Sequence, residues 1–329
     1  MAATGCGYWS LVATANVPPL VTTIGVWTAT KWVPGLPKRN AGIRSMMRFG
    51  GLITLNSLIF YVAYNVDKVL LGRFWGAEAI GIYGRAYQLI NIPTENLNSS
   101  VGEVAFSALS RVQNTPDRLK SYFLKGYSLV LALTVPITIA GAVFANDLML
   151  VVLGPKWSAT APIFRLLAPT ILIFAMINPL AWLLFSTGLV GRSIKIISVV
   201  APLTITAYFL GLPYGPKGVA LAYSTVMTLW VIPHILWCVH GTMISFRDIM
   251  LTVRRPLLSG AAAAVCAAGI QFFFGQSLIP ILRLALGGTV LLSVYLGMLL
   301  YVMGQKTFYL EVLQGLRRPP VKEKSLAPA

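Results

Sequence analysis

The chain has 329 residues, of which 57% are hydrophobic and only 11% are charged, and its mean hydropathy is +0.75. These values exclude a soluble globular protein and a disordered chain, and they predict a protein that crosses a membrane several times. The net charge of +17 does not indicate nucleic-acid binding, because the basic residues lie in short loops and not on one face or in a separate domain.

Apolar runs of spanning length, about 20 residues each, predict nine helices in an all-α, polytopic membrane bundle. The predicted spans are 8–29, 49–71, 80–110, 122–153, 162–188, 194–213, 217–239, 256–274 and 281–303. Basic residues concentrate in alternate connections, so the positive-inside rule places the N-terminus outside and the C-terminus in the cytoplasm. Because no export signal precedes the first span, we expect that an N-terminal part of a longer protein is missing.

Polar side chains in the third predicted span are the strongest functional signal. Four of them fall on one helical face and a fifth lies nearer the cytoplasmic end: Gln88, Asn91, Glu95, Asn98 and then Glu103. A charged side chain at the bilayer centre costs roughly 2.5 to 3.5 kcal/mol, so such residues normally face protein or a water-filled cavity. We predict that these five residues line a polar passage. Glu95, near mid-span, is the candidate to carry a coupling proton, with a packing role as the alternative.

A group of charged and amide residues lies near the outer ends of the predicted spans. Its members are Asn65, Asp67, Lys68, Arg73, Arg85 and Arg165. One interpretation is a cationic cavity for phosphate, in which the arginines supply bidentate donors, the lysine supplies a point charge, and Asn65 and Asp67 complete the lining. The other interpretation is a structural lock in which Asp67 pairs with one of the neighbouring basic residues.

No catalytic triad, phosphate-binding loop or metal-ligand spacing is visible, so we predict a protein that is not an enzyme and has no cofactor other than a coupled proton or sodium ion. Cys6, Cys238 and Cys266 lack CxxC spacing and are interpreted as small core residues. His234, close to Trp230 in an aromatic helix, is interpreted as a residue of a helix interface.

Short motifs between residues 7 and 240 occur in a characteristic order. They are Gly7-Tyr8-Trp9-Ser10-Leu11-Val12, Phe49-Gly50, Asn65, Asp67, Gly72-Arg73, Gly76, Gly81, Tyr83, Ala86, Pro93, Phe106, Leu109-Ser110-Arg111, Gln113, Pro136, Gly154 and Lys156-Trp157. In this order they resemble the Wzx-like oligosaccharide flippases of the multidrug/oligosaccharidyl-lipid/polysaccharide exporter superfamily. The likeness is greatest to the lipopolysaccharide and colanic-acid-type exporters.

The resemblance implies the second six-helix lobe of such a transporter plus its terminal helix pair, in an N-terminally truncated chain. The implied domains are a last helix of the preceding lobe (1–30), a basic cytoplasmic linker (31–48), the C-terminal lobe (49–240), the terminal pair (241–305) and a basic cytoplasmic tail (306–329). Such a half-transporter is not expected to flip its substrate alone.

The resemblance also implies a substrate, an undecaprenyl-diphosphate-linked oligosaccharide. It would be flipped by alternating access across the bacterial inner membrane for lipopolysaccharide or exopolysaccharide biosynthesis. The implied partners are membrane lipids, a polysaccharide polymerase and the export machinery. Two alternatives stay open: a membrane enzyme of polysaccharide assembly, either a polymerase or a lipid-linked glycosyltransferase, and a drug/cation antiporter of the same superfamily. The absence of a sizeable outer loop argues against the first, and the basic excess argues against the second.

Overall fold

A computed structural model describes residues 8–31, 44–112, 115–274 and 278–309, and all regular structure in these ranges is helical. The α-helices are α1 (Tyr8–Thr30), α2 (Arg44–Ala63), α3 (Val66–Arg111), α4 (Pro116–Val143), α5 (Ala145–Val152), α6 (Thr160–Leu167), α7 (Pro169–Ser186), α8 (Val190–Gly211), α9 (Gly215–Val239), α10 (Phe246–Phe274) and α11 (Pro280–Gly297). Shorter turns are the 3-10 helices Pro155–Trp157 and Leu212–Tyr214 and the π-helix Met298–Val302. The predicted all-α membrane bundle is confirmed.

Five stretches of the described chain are long and apolar enough to cross a membrane: Pro116–Val143, Thr160–Ser186, Gly191–Val239, Phe246–Phe274 and Pro280–Val302. The stretch Gly191–Val239 contains both α8 and α9, so the five stretches correspond to the last six predicted spans. The predicted total of nine spans stays a prediction. Three of the predicted spans are divided: α2 ends at Ala63 before α3 begins at Val66, α4 ends before α5 begins, and Pro169 starts a new helix after α6.

Helix α3 is two helical limbs joined by a sharp bend at Gly76, which has a φ of 83° and a ψ of −177°. This region of backbone space is open almost only to glycine. Across the bend, the Tyr83 hydroxyl donates a hydrogen bond of 2.8 Å to Asp67. In a straight helix these residues would be about 24 Å apart, so the limbs 66–75 and 77–111 must fold back on each other.

The indole of Trp75 fixes the bend against another loop. Its Nε1–H donates a hydrogen bond of 2.8 Å to the carbonyl oxygen of Leu212, and its ring lies against Gly215 at the start of α9. The bend therefore separates the second and third predicted spans, and the contact with the α8–α9 connection sets where the two limbs lie.

Two compact units make up the chain, Met1–Ile53 and Thr54–Ala329. The first contains α1, whose described apolar side chains are largely exposed, as at Leu20 and Trp27. An exposed apolar surface is expected of a helix that meets lipid. The implied domain boundaries at residues 31, 49, 241 and 306 stay predictions.

The second unit has a core of apolar and tyrosine side chains contributed by α3, α4, α6, α7, α8 and α9. A smaller cluster forms where α10 and α11 pack beside α4. Gly287 of α11 lies directly against the Phe144 ring, and a side chain there would collide with it. Small residues allow transmembrane helices to approach closely. Of the cysteines, Cys238 is buried as predicted, whereas Cys266 is exposed, which corrects its placement in the core; Cys6 lies outside the described residues.

An ion pair missed in the sequence connects α11 to α5. The Arg283 Nε–H donates a hydrogen bond of 2.9 Å to Asp147 Oδ2, and an Nη2 contact to Oδ1 makes the pairing bidentate. The Asp147 side chain is fully buried and that of Arg283 is 11% exposed. A single arginine near the start of an otherwise apolar span was the available signal, because a buried charge needs a partner.

Candidate functional site

A cavity of about 590 Å³ lies between α2, α3 and α7 in the second unit. Its lining combines amides, hydroxyls, one lysine, one carboxylate and aromatic rings: Ser57, Phe60, Tyr61, Tyr64, Asn65, Lys68, Tyr87, Asn91, Thr94, Glu95, Phe174 and Asn178. We call this space the polar cavity. Its volume is within the range of about 300 to 1,000 Å³ that is usual for small-molecule sites.

Four of the predicted site residues meet in the polar cavity, namely Asn65, Lys68, Asn91 and Glu95. The Lys68 Nζ donates a hydrogen bond of 2.8 Å to Asn65 Oδ1 and lies 4.8 Å from the centroid of the Tyr87 ring. Both contacts restrain the ammonium group, so a positive charge is held at a defined place in the lining. The part that these residues take in binding or coupling stays a prediction.

Asp67 does not line the polar cavity but is fully buried beside it. Its carboxylate accepts hydrogen bonds of 2.8 Å from the Tyr83 hydroxyl and from the Lys68 backbone N–H. The hydrogen bond from Tyr83 joins the two limbs of α3, whereas the bond from Lys68 lies within one limb. The lock interpretation expected a basic side chain as the partner of Asp67, but the partner across the bend is a tyrosine.

The three predicted arginines do not join Lys68 in the lining of the polar cavity. Arg73, Arg85 and Arg165 are exposed and are not among the described residues that line the polar cavity. For Arg85 the reason is helical phase, because six residues at about 100° each turn it about 120° away from Asn91 on α3. A cationic site shared by Lys68 and the three arginines stays a prediction.

Arg85 instead makes contacts on the outer side of α3. Its Nη1–H donates a hydrogen bond of 2.9 Å to Gln88 Oε1, and its guanidinium lies 5.5 Å from the Trp157 ring centroid. Gln88 is exposed and, like Arg85, is outside the cavity lining. The side chains of Asn98 and Glu103 lie outside the described residues, so their predicted place in the passage stays a prediction.

Part of the lining was missed in the sequence. Tyr64, Tyr87 and Asn178 were not selected, because tyrosines in apolar spans are usually interpreted as interfacial or core residues. Asn178 had a visible signal, since it is an amide in the otherwise apolar α7 and directly precedes Pro179. The tyrosines had none, because only the fold shows which of them face a cavity.

A second, mostly apolar cavity of about 230 Å³ adjoins the first, and we call it the apolar cavity. The two cavities share four wall residues, Phe60, Tyr64, Phe174 and Asn178. Most other residues around the apolar cavity are aliphatic, with His234 and Trp230 at one side. The Trp230 Nε1–H donates to His234 Nδ1 at 3.3 Å, so His234 is held within the bundle by a neighbour one turn away. A mostly polar and a mostly apolar cavity therefore lie side by side in the second unit.

Comparison with known proteins gives this geometry a context. A family model described as "Polysaccharide biosynthesis protein" matches residues 1–162. The lipopolysaccharide biosynthesis protein WzxC of Escherichia coli is 29% identical over 229 residues, which are 68% of this chain and 46% of that protein. The teichuronic acid biosynthesis protein TuaB of Bacillus subtilis is 25% identical over 248 residues, 73% of this chain and 50% of that protein.

A third relative is named for transport: the succinoglycan biosynthesis transport protein ExoT of Rhizobium meliloti is 23% identical over 168 residues, which are 51% of this chain and 34% of that protein. The chain spans about half the length of the first two relatives. These matches confirm the predicted resemblance to Wzx-type polysaccharide biosynthesis proteins.

Proposed function

We propose that the chain takes part in flipping an undecaprenyl-diphosphate-linked oligosaccharide across the bacterial plasma membrane, for lipopolysaccharide or exopolysaccharide biosynthesis. The observation that carries this proposal is the pairing of the polar cavity with the apolar cavity through a shared wall. A lipid-linked sugar has both polar and apolar parts, and each part finds a matching surface. The relatives named for polysaccharide biosynthesis support the same substrate class.

The polar cavity provides the groups that such a headgroup needs. Sugar hydroxyls both donate and accept hydrogen bonds, and amides such as Asn91 and Asn178 do the same. The diphosphate needs a cation, which Lys68 supplies as a point charge. Aromatic rings such as Phe60 and Tyr64 complete the wall between sugar and lipid. The first isoprene units would contact the aliphatic side chains of the apolar cavity.

Glu95 gives the polar cavity a second ionisable group of opposite sign. In this proposal it carries the coupling proton, with sodium as the other candidate ion. Alternating access then requires that the Glu95 carboxyl exchange its ion with one side of the membrane at a time. A polysaccharide polymerase and the export machinery are the proposed partners.

Binding of the lipid-linked oligosaccharide to the purified chain in neutral detergent tests the proposal. We expect Lys68→Gln to weaken binding on the order of ten-fold, because a hydrogen bond to a charged group contributes about 1.5 to 3 kcal/mol. The matched control is Lys217→Gln, an exposed lysine of α9 outside both cavities. Equal affinity in both variants would contradict the placement of the diphosphate at Lys68.

Two probes separate the parts of the substrate. Binding of undecaprenyl diphosphate without sugar should still depend on Lys68. It should not be affected by Asn91→Leu, which removes an amide from the polar cavity. Incubation with the oligosaccharide should leave its chain length unchanged. A longer or transferred sugar chain would instead favour the alternative of a membrane enzyme. Expression of this chain alone in a strain that lacks its own flippase should give no export, because a half-transporter is not expected to flip its substrate alone; robust export would contradict that expectation.

A further inference from the structure

A separate basic pocket of about 350 Å³ lies between the starts of α4 and α10 and the segment that follows α11. We call it the basic pocket. None of the residues that line it belongs to the polar or the apolar cavity. Its polar lining is formed mainly by Ser121, Lys125, Thr252, Arg254, Arg255 and Gln305.

The basic pocket carries an excess of positive charge. Three cations line it, Lys125, Arg254 and Arg255, and none of the described lining residues has a carboxylate. The nearby acid Asp248 already forms an ion pair of 2.7 Å with Lys120. The three lining cations are therefore left to attract an anion from outside the protein.

Helix lengths place the basic pocket at the edge of the hydrocarbon layer. The uncharged stretch of α10 after Arg255, residues 256–274, is about 28 Å long at 1.5 Å per residue. The uncharged stretch of α4 after Lys125, residues 126–143, is about 27 Å long. Both lengths match a hydrocarbon core of about 30 Å, so the three cations lie at the level of the lipid headgroups.

We infer that the basic pocket binds the headgroup of an anionic phospholipid. The guanidinium groups of Arg254 and Arg255 suit a phosphodiester, because arginine offers paired donors to phosphate oxygens. The hydroxyl and amide groups of Ser121, Thr252 and Gln305 suit a glycerol headgroup. The remaining lining is apolar, at Leu124, Leu251 and Phe308, and provides surface for the beginning of an acyl chain. A free phosphate ion would leave that surface unused.

Native mass spectrometry of the full chain in neutral detergent measures this binding, with phosphatidylglycerol, phosphatidylcholine and inorganic phosphate as probes. We expect phosphatidylglycerol to bind at least ten-fold tighter than phosphatidylcholine. Each cation near a membrane surface contributes roughly a factor of five to the attraction of an anionic lipid. The double variant Arg254→Gln/Arg255→Gln should therefore bind phosphatidylglycerol about 25-fold more weakly.

The matched control is Arg247→Gln, which removes an exposed positive charge from the same helix but outside the basic pocket. It should keep the preference for phosphatidylglycerol. Thermal unfolding of each variant in the absence of lipid shows whether it is folded, and Lys125→Gln, a single change, gives a second test if the double variant unfolds. An equal loss in Arg247→Gln would show a diffuse charge effect and overturn the site. Displacement of the lipid by millimolar inorganic phosphate would overturn the assignment to a phospholipid.

Discussion

Breaking the buried ion pair between Asp147 and Arg283 should be one of the more destabilising single changes in the second unit. The pair joins α5 to α11 through a bidentate contact, and both side chains are almost completely removed from solvent. Replacing Asp147 by Ala removes one charge and leaves the arginine in the bundle without its carboxylate. We expect the Asp147→Ala variant to lose much of the packing of α11.

The size of this loss follows from the burial of the pair. Removing one partner of a buried ion pair costs about 3 to 5 kcal/mol, because the remaining charge is left without compensation. Replacing both partners by apolar residues of similar size is often neutral, since the desolvation cost of both charges disappears. The double variant Asp147→Leu/Arg283→Met should therefore be more stable than Asp147→Ala. The midpoint temperature of thermal unfolding should be about 10 °C lower for Asp147→Ala than for the wild type.

Thermal unfolding of the purified chain in one detergent, followed by tryptophan fluorescence, measures these differences. The matched control is Asp117→Ala, which removes an exposed carboxylate at the start of α4. Exposed ion pairs contribute about 0 to 1 kcal/mol, so this variant should unfold close to the wild-type temperature. If Asp147→Ala unfolds at the same temperature as Asp117→Ala, the ion pair does not stabilise the fold as argued. If the double variant is the less stable one, the desolvation argument is wrong.

Gly76→Ala should lower stability by about 1 to 3 kcal/mol in thermal unfolding, because the bend backbone strains any side chain even though space is open there; Gly25→Ala, with similar space and no bend, is the control. Tyr83→Phe should lower the free energy of unfolding by about 1.5 to 3 kcal/mol in the same assay, because the buried Asp67 carboxylate loses the hydroxyl donor of Tyr83. An unchanged unfolding midpoint would show that this hydrogen bond is dispensable. In a full-length transporter background, Glu95→Gln keeps the shape of the side chain but cannot titrate, so export should become weak and insensitive to an imposed proton gradient at unchanged protein level; export that still follows the gradient removes Glu95 from coupling. A reporter fused at Gly241 should report the cytoplasm, and an outside signal would contradict the predicted orientation.

The later spans and the common face of Asn91 and Glu95 could be predicted from the sequence because both depend on local periodicity. Apolar runs of spanning length became α4 and the later helices, with breaks where proline or a chain reversal intervenes. On α3, Asn91 and Glu95 are one turn apart, and both line the polar cavity. A helix converts that spacing into a common face without help from the rest of the fold.

The directions of the cationic side chains could not be predicted, because they depend on how the helices turn relative to one another. Arg73, Arg85 and Arg165 were assigned to one cavity because they lie at similar depth in the membrane, but depth does not fix the direction of a side chain. The bend at Gly76 and the contact of Arg85 with Trp157 both depend on tertiary packing. The burial of Asp67 under Tyr83 depends on the same bend.

Lys68 and Glu95 both line the polar cavity, and no salt bridge joins them among the described residues. Lys68 instead donates a hydrogen bond to Asn65 and contacts the ring of Tyr87. The two groups therefore have separate tasks in the proposed function. A diphosphate at Lys68 would then place its sugars along Asn91 and towards Glu95. Loss of the Lys68 ammonium should lower the affinity for the substrate without changing how export responds to a proton gradient. Loss of the Glu95 carboxylate should remove the response to the proton gradient without changing the affinity for the substrate.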